Sequence, residues 1–543
     1  MKHVSRKLCV IMAIMLIAVM PLSACKNSTN TDDTSGLTSN EAKGDSNTEN
    51  NDTESDDGTT VDPIQEELAK GHVTLIGYQF GDNSVDHEAV LAKLNEKLEA
   101  DINTTIEIRG IPWTDAETKY KLMFASGEEF DFCYSGAWIG FNSVATTNGY
   151  KSIDLDMVKT FAPDTYAATS ADRWKQVTVK GNIYGLPNIN AKIKNVLAVF
   201  RGDILDKYNI TSISSPDEFV NALLKIAAGE DELLAWNVGN AEQNGRMRGT
   251  LYSQAKNLKD VISGVPLLSV DMLDDSYKIF KVYEDPDYLK YLETTKKLAD
   301  AGVWSKSALA NSDADENNFM AEKSACYIAD AFDTFSRNDA TMKALNPSYA
   351  NRYFEVNPGY KKIPEGGNMS MLSINANSKY AERVMMMFNL FETDKSYFDL
   401  INYGIEGTHY EAVGETRYNA LLPKYNDFGG FTISWGSNNS SLLRQNTTVP
   451  QEQIDAYNKS LAEDSIETPL ATFTFDDTNY KNEIAAITNI VETYMIPIEL
   501  GLTDQAEGLE KMKQKLETAG IDKLLEAVQT QLDAYIAEYN GNN

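Results

Sequence analysis

Tyr78 and Gln79 are adjacent, Tyr134 precedes Ser135 with Trp138 three residues on, and Trp435 stands three residues before Asn438. Each group sets a flat apolar face beside a side chain that makes hydrogen bonds. A sugar ring calls for that pairing, because one of its faces is C–H and its edge is hydroxyl. Asn188 and Asn190 add two amides, and Asp330 adds a carboxylate able to accept from two hydroxyls. Every one of these residues also has a plain structural use. An aromatic after a strand is commonly core, Asn suits a turn, and Asp caps a helix.

Cys25 offers chemistry of another kind. Lys2, Arg6 and Lys7 form a positive start, Leu8 to Met20 an apolar stretch short for a bilayer span, and Ser23 and Ala24 a small-residue pair. A cysteine directly after such a pair is the mark of a bacterial lipobox. Residues 1–24 are expected to be removed as a signal peptide, leaving a diacylglyceryl group on the Cys25 thiol. From residue 25 to about 65 the chain is mostly Ser, Thr, Asn, Asp and Glu. Such a segment buries too little apolar surface to offset its entropy, and a disordered acidic tether is expected.

The formal net charge is −31, and loss of the basic signal deepens it. That argues against a nucleic-acid partner and against a polybasic membrane patch. The lipid is then the expected membrane anchor. There is no Gly-x-Ser-x-Gly elbow, no phosphate loop and no His-Glu-x-x-His. Glu406 and Glu411 form a carboxylate pair that keeps a surface glycosidase open as an alternative, beside an adhesive lipoprotein. Cys133 and Cys326 each sit in an apolar run, which suits small core residues better than a bridge. No cofactor and no zinc site are expected. The acidic loop Asp313-Ala-Asp-Glu316 leaves calcium open.

The elements that must hold these residues alternate. Val73–Tyr78 and Thr105–Ile108 read as strands, with Leu91, Leu94 and Leu98 on one helical face between them. Trp113 to Ala125 reads as a helix with a capping box from Thr114 to Glu117, followed by a strand over 130–134. This alternation predicts an α/β fold with parallel strands, and ligands of such folds bind at the loop edge of the sheet. A second set follows. Strands are expected at 196–200, 324–329 and 371–374, and helices at 216–228, 288–301 and 380–391. The end is helical, with Leu509, Met512 and Leu516 on one face and Leu525, Val528, Leu532 and Tyr535 on another. The organisation expected is lobe 1 over 66–187, lobe 2 over 188–370, a return to lobe 1 over 371–435, and a helical region over 436–543 touching both lobes.

Gly181-Asn-Ile-Tyr-Gly-Leu-Pro187 and Arg201-Gly-Asp-Ile-Leu-Asp-Lys-Tyr208, followed by Ser215-Pro-Asp-Glu-Phe219, resemble segments of the extracellular solute-binding proteins of bacterial ABC importers, in the large carbohydrate-associated family. Asn182 stands where that family has Lys. Ile401-Asn-Tyr-Gly-Ile-Glu-Gly-Thr-His-Tyr410, Ala519-Gly-Ile-Asp-Lys-Leu524 and Gln529-Thr-Gln531 are similar to a Firmicute subgroup with its own C-terminal domain of unnamed function. The resemblance implies a two-lobed periplasmic-binding-protein-like fold, each lobe a sheet flanked by helices, with the solute in the cleft. It implies a monomeric, non-enzymatic receptor on the outer face of a Gram-positive type cell membrane, delivering a sugar or oligosaccharide to an ABC permease. A peptide or other polar solute is the alternative. Glu406, His409 and Tyr410 crowd one loop, where a structural hydrogen-bond network is expected ahead of ligand contact.

Overall fold

The structure is a computed structural model that describes residues 62–239, 241–311, 314–329 and 331–541. The signal segment, Cys25, most of the tether, Asp313 and Asp330 lie outside the described residues.

β1 (Val73–Phe80) is a run of β-formers buried on both faces beyond Ile76, as a central strand must be. β2 (Thr104–Ile111) lies at the edge, burying Ile106 and Ile108 and turning Glu107 outward. Between them the helix His87–Ile102 packs Val90, Leu91, Leu94 and Leu98 on the sheet and stops where Asn103 turns left-handed. β3 (Phe132–Ser135) completes a parallel trio with β1 in the middle. The strand Met371–Ile374 then pairs antiparallel with β3, and Leu186–Pro187 pairs antiparallel with it in turn. The sheet is mixed rather than parallel, because Met371–Ile374 enters it from the second lobe instead of through a helical crossover.

The second lobe holds a sheet in the order Arg352–Phe354, Leu197–Phe200, Ser324–Ala329, Leu234–Trp236. Its helix Pro216–Ala227 begins where the Ser215 hydroxyl accepts the Glu218 N–H, and it buries Phe219, Leu223 and Ile226. The two lobes have separate hydrophobic cores. The C-terminal helices Gln505–Ala519 and Ile521–Gly541 add Leu509, Met512, Leu516, Leu524, Val528 and Leu532 to the same core as Phe219 and Trp236 of lobe 2. Leu524 is the deeper residue there, and Leu525 is half-buried. A small sheet of Tyr410–Val413, Arg417–Ala420 and Gln445–Asn446 has its own core of Phe398, Tyr403, Tyr410, Tyr418 and Tyr425.

Three segments pass between the lobes, at 188–196, 355–370 and 437–450. They are laced together. The Glu365 N–H donates to the Lys192 carbonyl at 2.8 Å, and the Ser440 N–H to Asn190 Oδ1 at 3.1 Å. Among the described residues no helix is long and apolar enough to cross a membrane.

Candidate functional site: an aromatic shelf at the sheet edge

The chain has six tryptophans. Trp174, Trp236 and Trp304 are core residues. The other three converge on the loop edge of the lobe 1 sheet. Trp113 is 48% exposed, Trp138 38% and Trp435 46%. Trp113 is stacked on Trp435 with ring centroids 5.9 Å apart and planes at 25°, and on Trp138 at 6.3 Å and 30°. Phe80, the last residue of β1, lies beneath, 5.5 Å from Trp113 and 5.4 Å from Trp138. Exposing three indoles side by side forgoes burial worth roughly 25 cal/mol per Å² of apolar surface. A patch of that kind marks a surface that something covers.

Each indole is held from below. Trp113 follows Pro112 directly after β2 and opens a short 3-10 turn that leads into the helix Ala116–Ala125. Trp138 folds back over β3, where its Nε1 donates to the Tyr134 hydroxyl at 3.3 Å. A Cβ on Gly136 would lie 2.8 Å from that indole nitrogen and 2.4 Å from the Met369 carbonyl, so only glycine lets the chain pass there. Tyr134 is buried, bonded to Ser370 Oγ at 2.9 Å, with its ring edge-on to Trp435 at 6.2 Å. Ser135 is buried against Ser373, Oγ to Oγ at 2.6 Å.

The polar residues beside the shelf serve mainly to hold the Trp435 loop. Gln79 Oε1 accepts the Ile433 N–H at 3.2 Å. Asn188 donates its amide to the Trp435 carbonyl at 3.0 Å and accepts the Asn438 N–H at 3.0 Å. Asn190 accepts both the Ser440 N–H and its hydroxyl. Tyr78 is turned away into the lobe 1 core, edge-on to Phe130 and bonded to Glu128. Asp330 lies outside the described residues, just before the helix Phe332–Leu345.

That helix brings a polar group that its sequence did not signal. Asp333 is solvent-exposed in the first turn. Crowding by surrounding protein raises its carboxyl even though its surface is open to solvent, but Lys192 on the first crossing, Arg337 and the backbone N–H groups of Asp333 and Thr334 together hold it below the ordinary range. Arg337 and Asn338 both donate to Glu316 Oε1, at 3.4 and 2.9 Å. Trp113 was missed for a different reason. It has the signal that singles out Trp138, an aromatic just past a strand, but it reads equally well as a helix start.

The 406–410 loop is a brace. His409 Nδ1 accepts the Ile405 N–H at 2.9 Å, so its Nε2 carries the proton and donates to Asp86 at 3.2 Å. Lys424 also reaches Asp86, at 2.9 Å. Glu406 accepts the Ala412 N–H at 3.3 Å, and Tyr410 is core. Cys133 and Cys326 are free thiols buried in different lobes, and burial pushes the Cys133 thiol up to about 12. Asp315 is buried, accepting from Trp236 Nε1 and the Ile328 N–H. Among the described residues no cluster of acidic, His or Cys side chains could hold a metal ion. A separate cavity of about 410 Å³ in lobe 1, lined by Phe124, Glu128, Asn148 and Asn375, shares no residue with the shelf.

Two α/β lobes, three laced crossings and an aromatic shelf at one sheet edge define the fold of the two-lobed solute-binding proteins. Residues 469–537 match the family described as a domain of unknown function, DUF3502. The chain is 25% identical over 469 residues to a carbohydrate ABC transporter substrate-binding protein of Streptococcus pneumoniae, covering 84% of this chain and 90% of that one. It superposes on the crystal structure of the N-glycan transport solute binding protein NgtS from Streptococcus pneumoniae with a TM-score of 0.69 at 22% identity, covering 86% of this chain and 99% of that one. The complex of NgtS with Man1GlcNAc gives a TM-score of 0.68 at 21% identity, covering 86% of this chain and all (100%) of that one.

Proposed function

We propose that this protein is a lipid-anchored receptor that captures a saccharide between its lobes and delivers it to an ABC permease. The observation that carries the reading is the shelf of Trp113, Trp138 and Trp435. Stacking on C–H faces is what such a surface does best, and the alternative solutes do not need it. Trp113 pairs with both Trp138 and Trp435, so the three half-exposed rings form one continuous aromatic patch. An oligosaccharide therefore fits it better than a single sugar. Asp333, Arg337 and Lys192 are the polar groups offered from the lobe 2 side for hydroxyls, with Asp330 beside them in sequence. Tyr134, Ser135, Gln79, Asn188, Asn190 and Asn438 act mainly by holding the shelf. Closure of the lobes about the three crossings would sequester the sugar and make the form that docks on the permease. The curated relative and the glycan complex of NgtS support the same reading, and the Cys25 motif supports anchoring on the outer face of the membrane.

A thermal-shift screen of mono- and oligosaccharides, with Man1GlcNAc included, tests it. A ligand at 100 times its Kd stabilises by about 2.7 kcal/mol, so a bound saccharide raises the melting temperature measurably. Stabilisation by oligopeptides with none by any saccharide would overturn the sugar assignment.

A further inference from the structure

The C-terminal domain meets lobe 2 on a buried ion pair. Glu499 is fully buried, and it accepts from the Tyr288 hydroxyl at 2.9 Å and from Arg248 Nη1 at 3.3 Å. Arg248 is buried as well, with Asp260 at 3.9 Å. Two charges withdrawn from water are often no more stabilising than a packed apolar pair, so stability alone does not explain this one. Its place in the chain does. Arg248 ends the helix Ala241–Arg248, and the next five residues, Gly249–Ser253, form a π-turn. A second π-turn, Val491–Met495, runs straight into Ile496–Glu499. Both partners of the pair therefore stand beside a helix widened by an extra residue, a feature found disproportionately at functional positions.

A widened turn disturbs the regular ladder of carbonyls, and here one of them is used from outside. The Thr250 carbonyl accepts the Asn357 amide at 2.8 Å, and Gln254 Oε1 accepts it at 3.2 Å. One turn on, Asn257 Oδ1 accepts the Lys361 N–H at 2.8 Å. Asn357 and Lys361 belong to the second crossing. That segment continues to Glu365, which pairs with Lys194 of the first crossing at 2.8 Å, and whose carbonyl accepts from Arg173 of lobe 1 at 3.3 Å. An unbroken line of direct contacts thus runs from the C-terminal domain to the hinge.

We propose that Glu499 is a positioning residue, holding Arg248 and its π-turn so that the C-terminal domain sets the resting angle of the interlobe crossings. The inference rests on reading the cleft as the place of solute capture, but its mechanics do not depend on the solute being a sugar. Such a coupling matters because the ligand must work against whatever resting angle the hinge has.

The test uses the full mature chain with spin labels at Leu122→Cys in lobe 1 and Leu309→Cys in lobe 2, positions 60% and 51% exposed. Pulsed EPR without ligand gives the interlobe distance distribution. Glu499→Gln should broaden or shift it. Asn357→Ala, which leaves the buried pair intact, should do the same. Lys281→Ala breaks the 2.6 Å bridge to Asp522 between the same two regions but lies off the line, and it should change nothing. An unchanged distribution in Asn357→Ala and in folded Glu499→Gln overturns the proposal, and so does an equal change in Lys281→Ala. If Glu499→Gln does not fold, Tyr288→Phe, which removes one of the two hydrogen bonds that hold Glu499, takes its place, and an unchanged distribution there overturns the proposal. Calorimetry with Man1GlcNAc is read separately. Where the wild type binds it, Asn357→Ala should change affinity by about 2- to 30-fold, the range such couplings reach. Absence of binding to the wild type counts against the sugar, not against the hinge result.

Discussion

The side-chain amide of Asn188, on the first crossing, donates to the backbone carbonyl of Trp435, on the shelf, at 3.0 Å. The same side chain accepts the Asn438 N–H at 3.0 Å. Hinge and shelf are therefore joined at one residue. Asn188→Ala leaves two part-buried backbone groups unpaired, which costs no more than about 1–3 kcal/mol together. Urea unfolding should show a loss in that range, and saccharide affinity should fall with it because the Trp435 loop is freed. Asn188→Asp keeps the acceptor and should fall between. Wild-type stability and affinity in Asn188→Ala would show that the loop is held elsewhere.

Trp435→Ala separates shelf from core. Removing one aromatic contact to a sugar should weaken binding by about 1–3 kcal/mol. A half-exposed ring should cost far less stability than the roughly 3–5 kcal/mol of a core Trp→Ala change. Trp113→Ala should lose more affinity than either neighbour, because it takes one ring from both pairs. Calorimetry and unfolding midpoints on the same proteins decide. Intact affinity alongside a large fall in stability would make Trp435 a core residue.

Glu392, beside the first crossing, should make the stability of the fold depend on pH. It is fully buried, Oε2 accepts the Ile189 N–H at 3.5 Å, and Oε1 has no partner. Burial pushes its carboxyl up to about 8, against the pull of the Ile189 N–H and Arg173. Its folded pKa lies above the unfolded value of about 4.3, so the folded state holds the extra proton between them. Its contribution to stability is full below about 4.3 and is lost as pH rises through about 8. Melting temperatures of wild type and Glu392→Gln should diverge steadily across that window, with the variant less pH-dependent. Parallel curves would mean that Glu392 is ionised throughout.

Cys25→Ser tests the anchor. The wild type should partition with membranes and show a diacylglyceryl mass on the mature N-terminus, since one acyl chain alone binds marginally. The variant should be released or left uncleaved. An unmodified Cys25 in the mature wild type would end the lipoprotein assignment.

Much of the fold was legible because its signals are local. Ser215-Pro216 is a helix start whatever surrounds it, and the expected strand at 324–329 and the face Leu509, Met512 and Leu516 appear where periodicity puts them. The small sheet of 410–420 with 445–446 was not legible. Its strands are short and lie among glycines, and its third member comes from a distant segment.

Sequence by itself determined that the chain alternates strand and helix, that Cys25 follows an apolar stretch and a small-residue pair, and that aromatics follow its strands. Tertiary structure alone decided which of those aromatics act together. Trp113, Trp138 and Trp435 meet because β2, β3 and the 3-10 turn Thr432–Gly436 end at one edge, a fact about strand order and not about neighbours in the chain. Tyr78 has the same local signal, yet it points into the core. Gln79, Asn188 and Asn190 likewise look free to bind a ligand, yet Gln79 and Asn190 spend their amide oxygens, and Asn188 both amide atoms, on backbone groups of the segment around Trp435. A side chain's partners are chosen by what folding brings within 3–4 Å of it, and that distance is not a property of sequence separation.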